Sequence, residues 1–292
     1  MKQVTTYLIL VACVFFWASN FIIGAILVEH WSPVMVAILR LIVIVLFLGC
    51  ISWRAIVKVR LTKRDVLLLT IAGILGVAIN HYSFYASLQH TSPITAALIL
   101  ACAPIVTSLL NKVIYKEKRN WLFWLGAVTS FIGVALIITK GAWMILTIGK
   151  GEILSLITMV SFALFLIMVN HLSVHLSAAV ITFYTNGIGL IVLLPFSINH
   201  WSLQATAMSY WLLLISSAIF IHGISNLLWN KNMKVIGSTN ASLLLNIEPA
   251  IAMALSALIL RNYPTMIQIG GSILILLGIV LCIYQQKVNK KY

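Results

Sequence analysis

Ala96-Ala97-Leu98-Ile99-Leu100-Ala101-Cys102-Ala103-Pro104 and Ala241-Ser242-Leu243-Leu244-Leu245-Asn246-Ile247-Glu248-Pro249 are one pattern written twice, 145 residues apart. Ala96, Leu98, Leu100 and Pro104 fall on Ala241, Leu243, Leu245 and Pro249 without a gap. The same offset carries Gly126 and Gly133 onto Gly271 and Gly278, Asn80-His81 onto Ser225-Asn226, and Ala18 onto Ala163. Matches of Ala and Leu carry little weight in so apolar a chain. A fixed offset over a Pro and two Gly positions carries more, and it divides the chain into units 1–145 and 146–292.

Composition names the solvent. Apolar residues make up 62% of the 292 residues and charged residues 8%, against roughly half and a quarter in water-soluble domains. A soluble protein of this length could not hide that much apolar surface. A spanning helix needs about 20 mostly apolar residues, and ten runs qualify: 6–28, 33–52, 65–88, 93–115, 121–139, 151–170, 178–198, 209–230, 238–260 and 265–285. Pro33, Pro93 and Pro264 mark span starts, where a missing N–H matters least. The fold expected is an all-α integral membrane protein of ten transmembrane helices. Each unit holds five spans, an odd number, so the two copies must face opposite ways. Such inverted repeats are common in secondary transporters, which bind substrate near the midplane between repeats.

Net charge is +14, but the basic residues punctuate apolar runs instead of forming the stripe that nucleic acid requires. Fifteen Lys and Arg, from Lys2 and the Arg54–Arg64 segment to Lys291, fall on one side of the ten-span topology; only Lys140, Lys150 and Arg261 fall on the other. The positive-inside rule then puts both termini in the cytoplasm. The plasma membrane is the expected location, and the basic Trp53–Arg64 segment is expected to meet anionic lipid. Lys116, Glu117, Lys118 and Arg119 read as a solvated cytoplasmic turn. The first run, about Tyr7–Val28, is too long for a cleavable signal core and is kept as a span. Cys13, Cys50, Cys102 and Cys282 lie in apolar runs without metal or redox spacing and read as small buried hydrophobes.

Four short elements resemble the drug/metabolite transporter superfamily in its EamA-like, ten-helix branch. They are Phe16-Trp17-Ala18-Ser19-Asn20-Phe21 in span one, Leu39-Arg40-Leu41 in span two, the run from Ala96 through Pro104 to Lys116-Glu117-Lys118, and Glu248-Pro249 in span nine. Where the family pattern has Gly-Glu at the end of span nine, this chain reads Leu260-Arg261-Asn262. The resemblance implies a ten-helix bundle with a cavity lined mainly by spans three, four, eight and nine, and members that export amino acids, sugars, nucleotide derivatives or drugs.

Residues able to carry transport are those that are polar inside spans. Glu248 stands near the middle of span nine, where an unpaired charge costs about 2.5–3.5 kcal/mol; it reads as a substrate-amine or proton site, or as a polar partner at the Pro249 kink. Asn246 lies beside it, on another face. His222, Asn226 and Asn230 recur at steps of four and form one polar stripe on span eight, flanked by Ser225 and Trp229. Asn80, His81 and Tyr85 answer on span three. The two stripes are expected to form two walls of one cavity, closed by Trp17, Tyr82 and Trp229, with Asn20 from span one; polar packing between helices is the alternative. Arg40 lies about 10 Å inside span two; it could bind a substrate carboxylate, but the structural reading, snorkelling outward or pairing with Glu29, is favoured. His30, His90, His171, His175 and His200 sit in loops or at span ends and are not expected to bind metal.

An intramembrane enzyme needs a convergent nucleophile and base, a carboxylate pair or a His-rich metal set, and no such spacing occurs. There is no Gly-rich phosphate loop. A retinal-type sensor needs a midspan Lys, and only Lys112 approaches that. The expected function is a non-enzymatic, cofactor-free secondary transporter exporting a small metabolite, such as an amino acid or related amphipathic solute. Its partners would be substrate and lipid, with a homodimer allowed.

Overall fold

A computed structural model describes residues 2–115, 121–139, 148–198, 207–236 and 244–289. These residues are helical throughout, joined by short turns, with no strand among them. Eight helical stretches are long and apolar enough to cross a bilayer, and two shorter apolar helices, Glu248–Leu260 and Met266–Leu281, accompany them. The chain is a multi-pass membrane protein. The start of expected span nine, 238–243, and the Lys116–Arg119 turn lie outside the described residues.

In chain order the helices are α1 (Lys2–His30), α2 (Pro33–Lys58), α3 (Lys63–Leu88), α4 (Pro93–Leu100), α5 (Ala103–Tyr115), α6 (Trp121–Ile138), α7 (Lys150–Leu172) and α8 (Ala178–Leu193). There follow α9, running from Met208–Ser217 through a π-helical turn into Ser225–Ile236, then α10 (Glu248–Leu260) and α11 (Met266–Asn289). Pro33 and Pro93 open α2 and α4 as expected, after Ser32 and Ser92 in extended conformation. Pro264 precedes α11 by two residues, and Thr265 with Gln268 exchanges reciprocal capping hydrogen bonds there (2.9 and 3.2 Å).

Irregularities in the helices repeat at the 145-residue offset. α3 carries a π turn at Ile74–Ile79 and α9 one at Ala218–Ile224. Expected span four is broken at Ala101-Cys102 and span nine at Asn246-Ile247. The hydrogen bonds correspond as well: Cys102 N–H to Ile99 O and Ile247 N–H to Leu244 O are both 3.1 Å. The cause is local. Pro104 and Pro249 lack the N–H that would bond the carbonyl four residues back, and their rings crowd it, so each helix restarts just before its proline.

The tightest evidence of self-similarity is in α6 and α11, the most extensive helix pair. Ser130 Oγ donates to Ile275 O at 3.1 Å, and residue 275 is the counterpart of residue 130. On one side of that point a Cβ added to Gly133 would stand 2.7 Å from Gly271 O; on the other, one added to Gly278 would collide with Gly126 O and Ser130 Oγ. Numbers rise along one helix as they fall along the other, so the equivalent helices run antiparallel.

The helix ends sort into two groups. At one end Gln89 Nε2 donates to Val28 O (3.3 Å), His30 packs against Tyr210 with ring centroids 3.8 Å apart, and Thr91 Oγ1 donates to Glu152 Oε1 (2.9 Å). At the other, His175 Nε2 meets Asp65 Oδ1 at 2.8 Å; this end also carries the Lys58–Arg64 segment and is called the basic end below. There Thr62 and Asp65 form a capping box on α3.

α10 ends on Arg261, whose φ of 52° is left-handed, with its own N–H and that of Asn262 returning to Ser256 O. A residue with a Cβ holds that conformation at about 1–2 kcal/mol. Arg261→Gly is expected to raise stability by about 0.5–1 kcal/mol, read as a higher Tm in detergent.

Two sequence-based expectations are corrected. Arg40 neither snorkels nor pairs with Glu29: it is fully buried, and Glu29 is exposed. Cys13 and Cys102 are buried, but Cys50 is exposed, because α2 turns that face away from the bundle.

Candidate functional site

The polar residues of four helices meet in the bundle interior. α2 contributes Arg40, whose side chain is 0% exposed. Its Nη1 donates to Ser217 Oγ on α9 at 2.8 Å and its Nη2 to Asn20 Oδ1 on α1 at 3.0 Å. The guanidinium lies 5.8 Å from the ring centroid of Tyr85 on α3. His81, one turn before Tyr85, faces His222 across the α3–α9 junction with ring centroids 5.6 Å apart. His81 Nδ1–H donates to Val77 O at 3.0 Å, which fixes its tautomer and leaves Nε2 as an acceptor.

The π turns lie at this meeting point. His222 is inside one, and Asn80-His81 follows the other directly. A π turn inserts a residue and leaves a backbone carbonyl without its usual donor, which is why such turns concentrate at functional sites. Ser161 Oγ donates to Leu75 O in the first, and Trp17 Nε1 to Ile221 O at 3.2 Å in the second. Each π carbonyl thus recruits a neighbouring helix.

Of the residues singled out from sequence, His81, Tyr85, His222 and Asn20 come together around Arg40. Trp17 and Trp229 meet at a tilt of 54° with centroids 4.8 Å apart, next to Leu10, Cys13, Val14, Leu244, Leu245 and Ile251. They form an aromatic layer between α1, α9 and the broken span. Asn226 follows His222 by four residues and is half-buried. Glu248 is the first residue of α10, directly after the break at Asn246-Ile247, and both Asn246 and Glu248 are half-buried. The Glu248 carboxylate makes no ion pair with another described residue.

Others go elsewhere. Asn80 turns to α7, donating from Nδ2 to Thr158 O at 3.0 Å beside a 2.7 Å Ser83–Thr158 hydroxyl contact, so it fastens two helices. Tyr82 is 46% exposed. The side chain of Asn230 lies outside the described residues.

Sequence reading favoured a structural role for Arg40 and passed over Ser217. Arg40 did carry a signal, as a cation inside an apolar span; Ser217 carried none, since serine is common in spans. A second polar feature lies at the end opposite the basic one. There a cleft of about 450 Å³ is lined by Gln89, Thr91, Glu152, Asn262, Thr265 and Gln268 among others. It lies where the chain passes from α3 to α4, enters α7 and passes from α10 to α11, as a vestibule above the bundle.

Comparison with known proteins agrees with this architecture. The chain is 28% identical over 289 residues to "Uncharacterized transporter YyaM" of Bacillus subtilis (strain 168), covering 96% of this chain and 94% of that protein. "Uncharacterized transporter YetK" of the same organism is 23% identical, with 100% and 90% covered. A solved crystal structure shares the fold at a TM-score of 0.65 and 16% identity, covering 95% of this chain and 96% of the other. The sequence profile of the EamA-like transporter family matches residues 4–139 and again residues 149–284, two stretches offset by the same 145 residues. The chain belongs to the EamA-like transporter family.

Proposed function

We propose that the chain is a secondary transporter that exports a small metabolite, an amino acid or related amphipathic solute, by alternating access. Units 1–145 and 146–292 act as two inverted five-helix repeats, giving ten transmembrane helices in the plasma membrane with both termini cytoplasmic. The observation that carries this reading is the antiparallel pairing of α6 and α11 through equivalent residues, Ser130 on Ile275 between the two glycine crossings. Two copies that run oppositely can exchange conformations, which converts an inward-open state into an outward-open one without new structure. The paired π turns and paired helix breaks give each repeat the same hinge points, placed around one polar cluster.

The substrate would sit between Arg40, His81, Tyr85 and His222, with Asn20, Asn226, Asn230 and Asn246 nearby and Glu248 at the break. Trp17 and Trp229 would close the path toward the basic end; Asn80 and Tyr82 would move with α3. The fifteen-to-three distribution of cations supports a cytoplasmic basic end.

The test has two arms. In sealed proteoliposomes the purified protein should catalyse counterflow of at least one member of an amino-acid panel, and flat traces across the panel would remove the proposed substrate class. In cells carrying a cysteine-free background, Tyr263→Cys should react with an impermeant maleimide from outside. Arg60→Cys should react only after permeabilisation. Labelling of Arg60→Cys in intact cells would reverse the topology.

A further inference from the structure

Arg40 brings a positive charge into the bundle that no carboxylate answers among the described residues. Glu29 is exposed, Asp65 joins His175, Glu152 accepts from Thr91, and no ion pair links Glu248 to Arg40. Its two bonded partners, Ser217 and Asn20, are neutral. A buried charge without a counter-charge is unstable in a low-dielectric interior unless something charged binds there.

The cluster also holds polar atoms that no neighbour satisfies. Seven buried side-chain polar atoms lack any hydrogen-bond partner among the described residues, and three of them belong here: Arg40 Nε, Tyr85 Oη and His222 Nε2. They come from three different helices, so a packing fault in one helix does not account for them. Arg40 is also close enough to interact electrostatically with both His81 and His222. A purely structural brace would leave its donors satisfied, since unmet buried donors destabilise the fold they are meant to hold.

We propose that Arg40 Nε–H, the Tyr85 hydroxyl and His222 Nε2–H form the receptor for a carboxylate carried by the transported solute. This rests on the transporter reading above and adds the chemical class of what is moved. A single guanidinium matches the single negative charge of a carboxylate; a phosphate dianion would leave the pair net negative. A carboxylate has two oxygens and about four acceptor positions, enough for all three groups when His222 carries its proton on Nε2. Asn20 and Ser217 hold the guanidinium plane, and the tautomer-fixed His81 packs beside His222, so these three are positioning residues. Arg40 and Tyr85 are both 0% exposed, which makes this conformation a closed one that must open for the solute to enter.

The experiment compares carboxylates with their matching primary amides (isobutyrate with isobutyramide, indole-3-acetate with its amide, L-leucine with L-leucinamide). Binding is followed by the Tm of the purified full-length protein in detergent, and transport by proteoliposome counterflow. At least one carboxylate should raise Tm, and its amide should bind at least about tenfold more weakly, the loss expected when a charge-assisted contact is removed. Arg40→Gln and Tyr85→Phe should each weaken the carboxylate by a similar factor while leaving the amide unchanged. If Arg40→Gln does not fold, Tyr85→Phe, which keeps the ring, decides. Equal binding of acid and amide, no shift with any carboxylate, or full affinity in Tyr85→Phe would each overturn the proposal. Counterflow only of solutes that lack a carboxylate would sink the carboxylate site and leave the transporter standing. Carboxylate binding without any flux would do the reverse.

Discussion

Gly278→Leu should abolish recovery of folded protein, while Gly270→Leu in the same helix should leave it intact. Gly278 is where α11 crosses α6, and any side chain there meets Gly126 O and Ser130 Oγ. Overpacking usually costs about 1–3 kcal/mol because neighbouring side chains can yield. Here the obstacle is a backbone carbonyl, which cannot move unless the two helices part. Parting them would also break the Ser130–Ile275 hydrogen bond and the Gly133–Gly271 crossing, so the loss should exceed that range and approach total stability, about 5–15 kcal/mol. A Cβ on Gly270 meets nothing within 4 Å, and replacing a helical glycine there should be neutral or stabilising by up to about 1 kcal/mol. Fluorescence-detected size exclusion and Tm read both variants. Similar behaviour of the two would mean that the crossing is placed wrongly.

Glu248→Gln should leave the fold standing and cut flux by at least about tenfold. The carboxylate begins α10, where the free N–H groups of the first turn and the helix dipole favour negative charge by about 0.3–1 kcal/mol. Glutamine keeps the size and one acceptor oxygen, so Tm should fall by no more than that amount implies. Transport is different. Hydrogen bonds to a charged group contribute about 1.5–3 kcal/mol, and glutamine removes both the charge and the capacity to carry a proton. Counterflow and its dependence on an imposed pH gradient are the measurements. A variant with wild-type flux and a lowered Tm would reduce Glu248 to a helix cap.

Much of this architecture could be read before any coordinates. Proline positions marked where α2 and α4 begin, and Pro104 and Pro249 each lie two residues past the break that the ring imposes. The glycines at 126, 133, 271 and 278 were visible as a shared offset. Their crossing was not, because a repeat in sequence does not say whether equivalent helices touch. The candidate site was partly legible: His81, Tyr85, His222 and Asn20 were found by polarity inside spans. Asn80 looked like their neighbour, but it joins Thr158 on α7, since adjacent residues on a helix point about 100° apart. The snorkelling reading of Arg40 failed for a related reason. Its depth suggested an escape to the surface, and only packing from α1, α3 and α9 could close that route.

The amino-acid sequence alone determined the solvent, the helical class, the duplication and the positions where helices must break, because hydropathy, proline chemistry and residue offsets are local properties of the chain. The tertiary structure decided which polar groups share one interior. It showed, among the described residues, an arginine without a counter-charge beside a tyrosine hydroxyl and an imidazole Nε2 that have no hydrogen-bond partner. It also showed that Ser130 meets the carbonyl of its own counterpart. Those are relations between helices tens to hundreds of residues apart, set by packing at ångström distances, and no periodicity within a single helix encodes them.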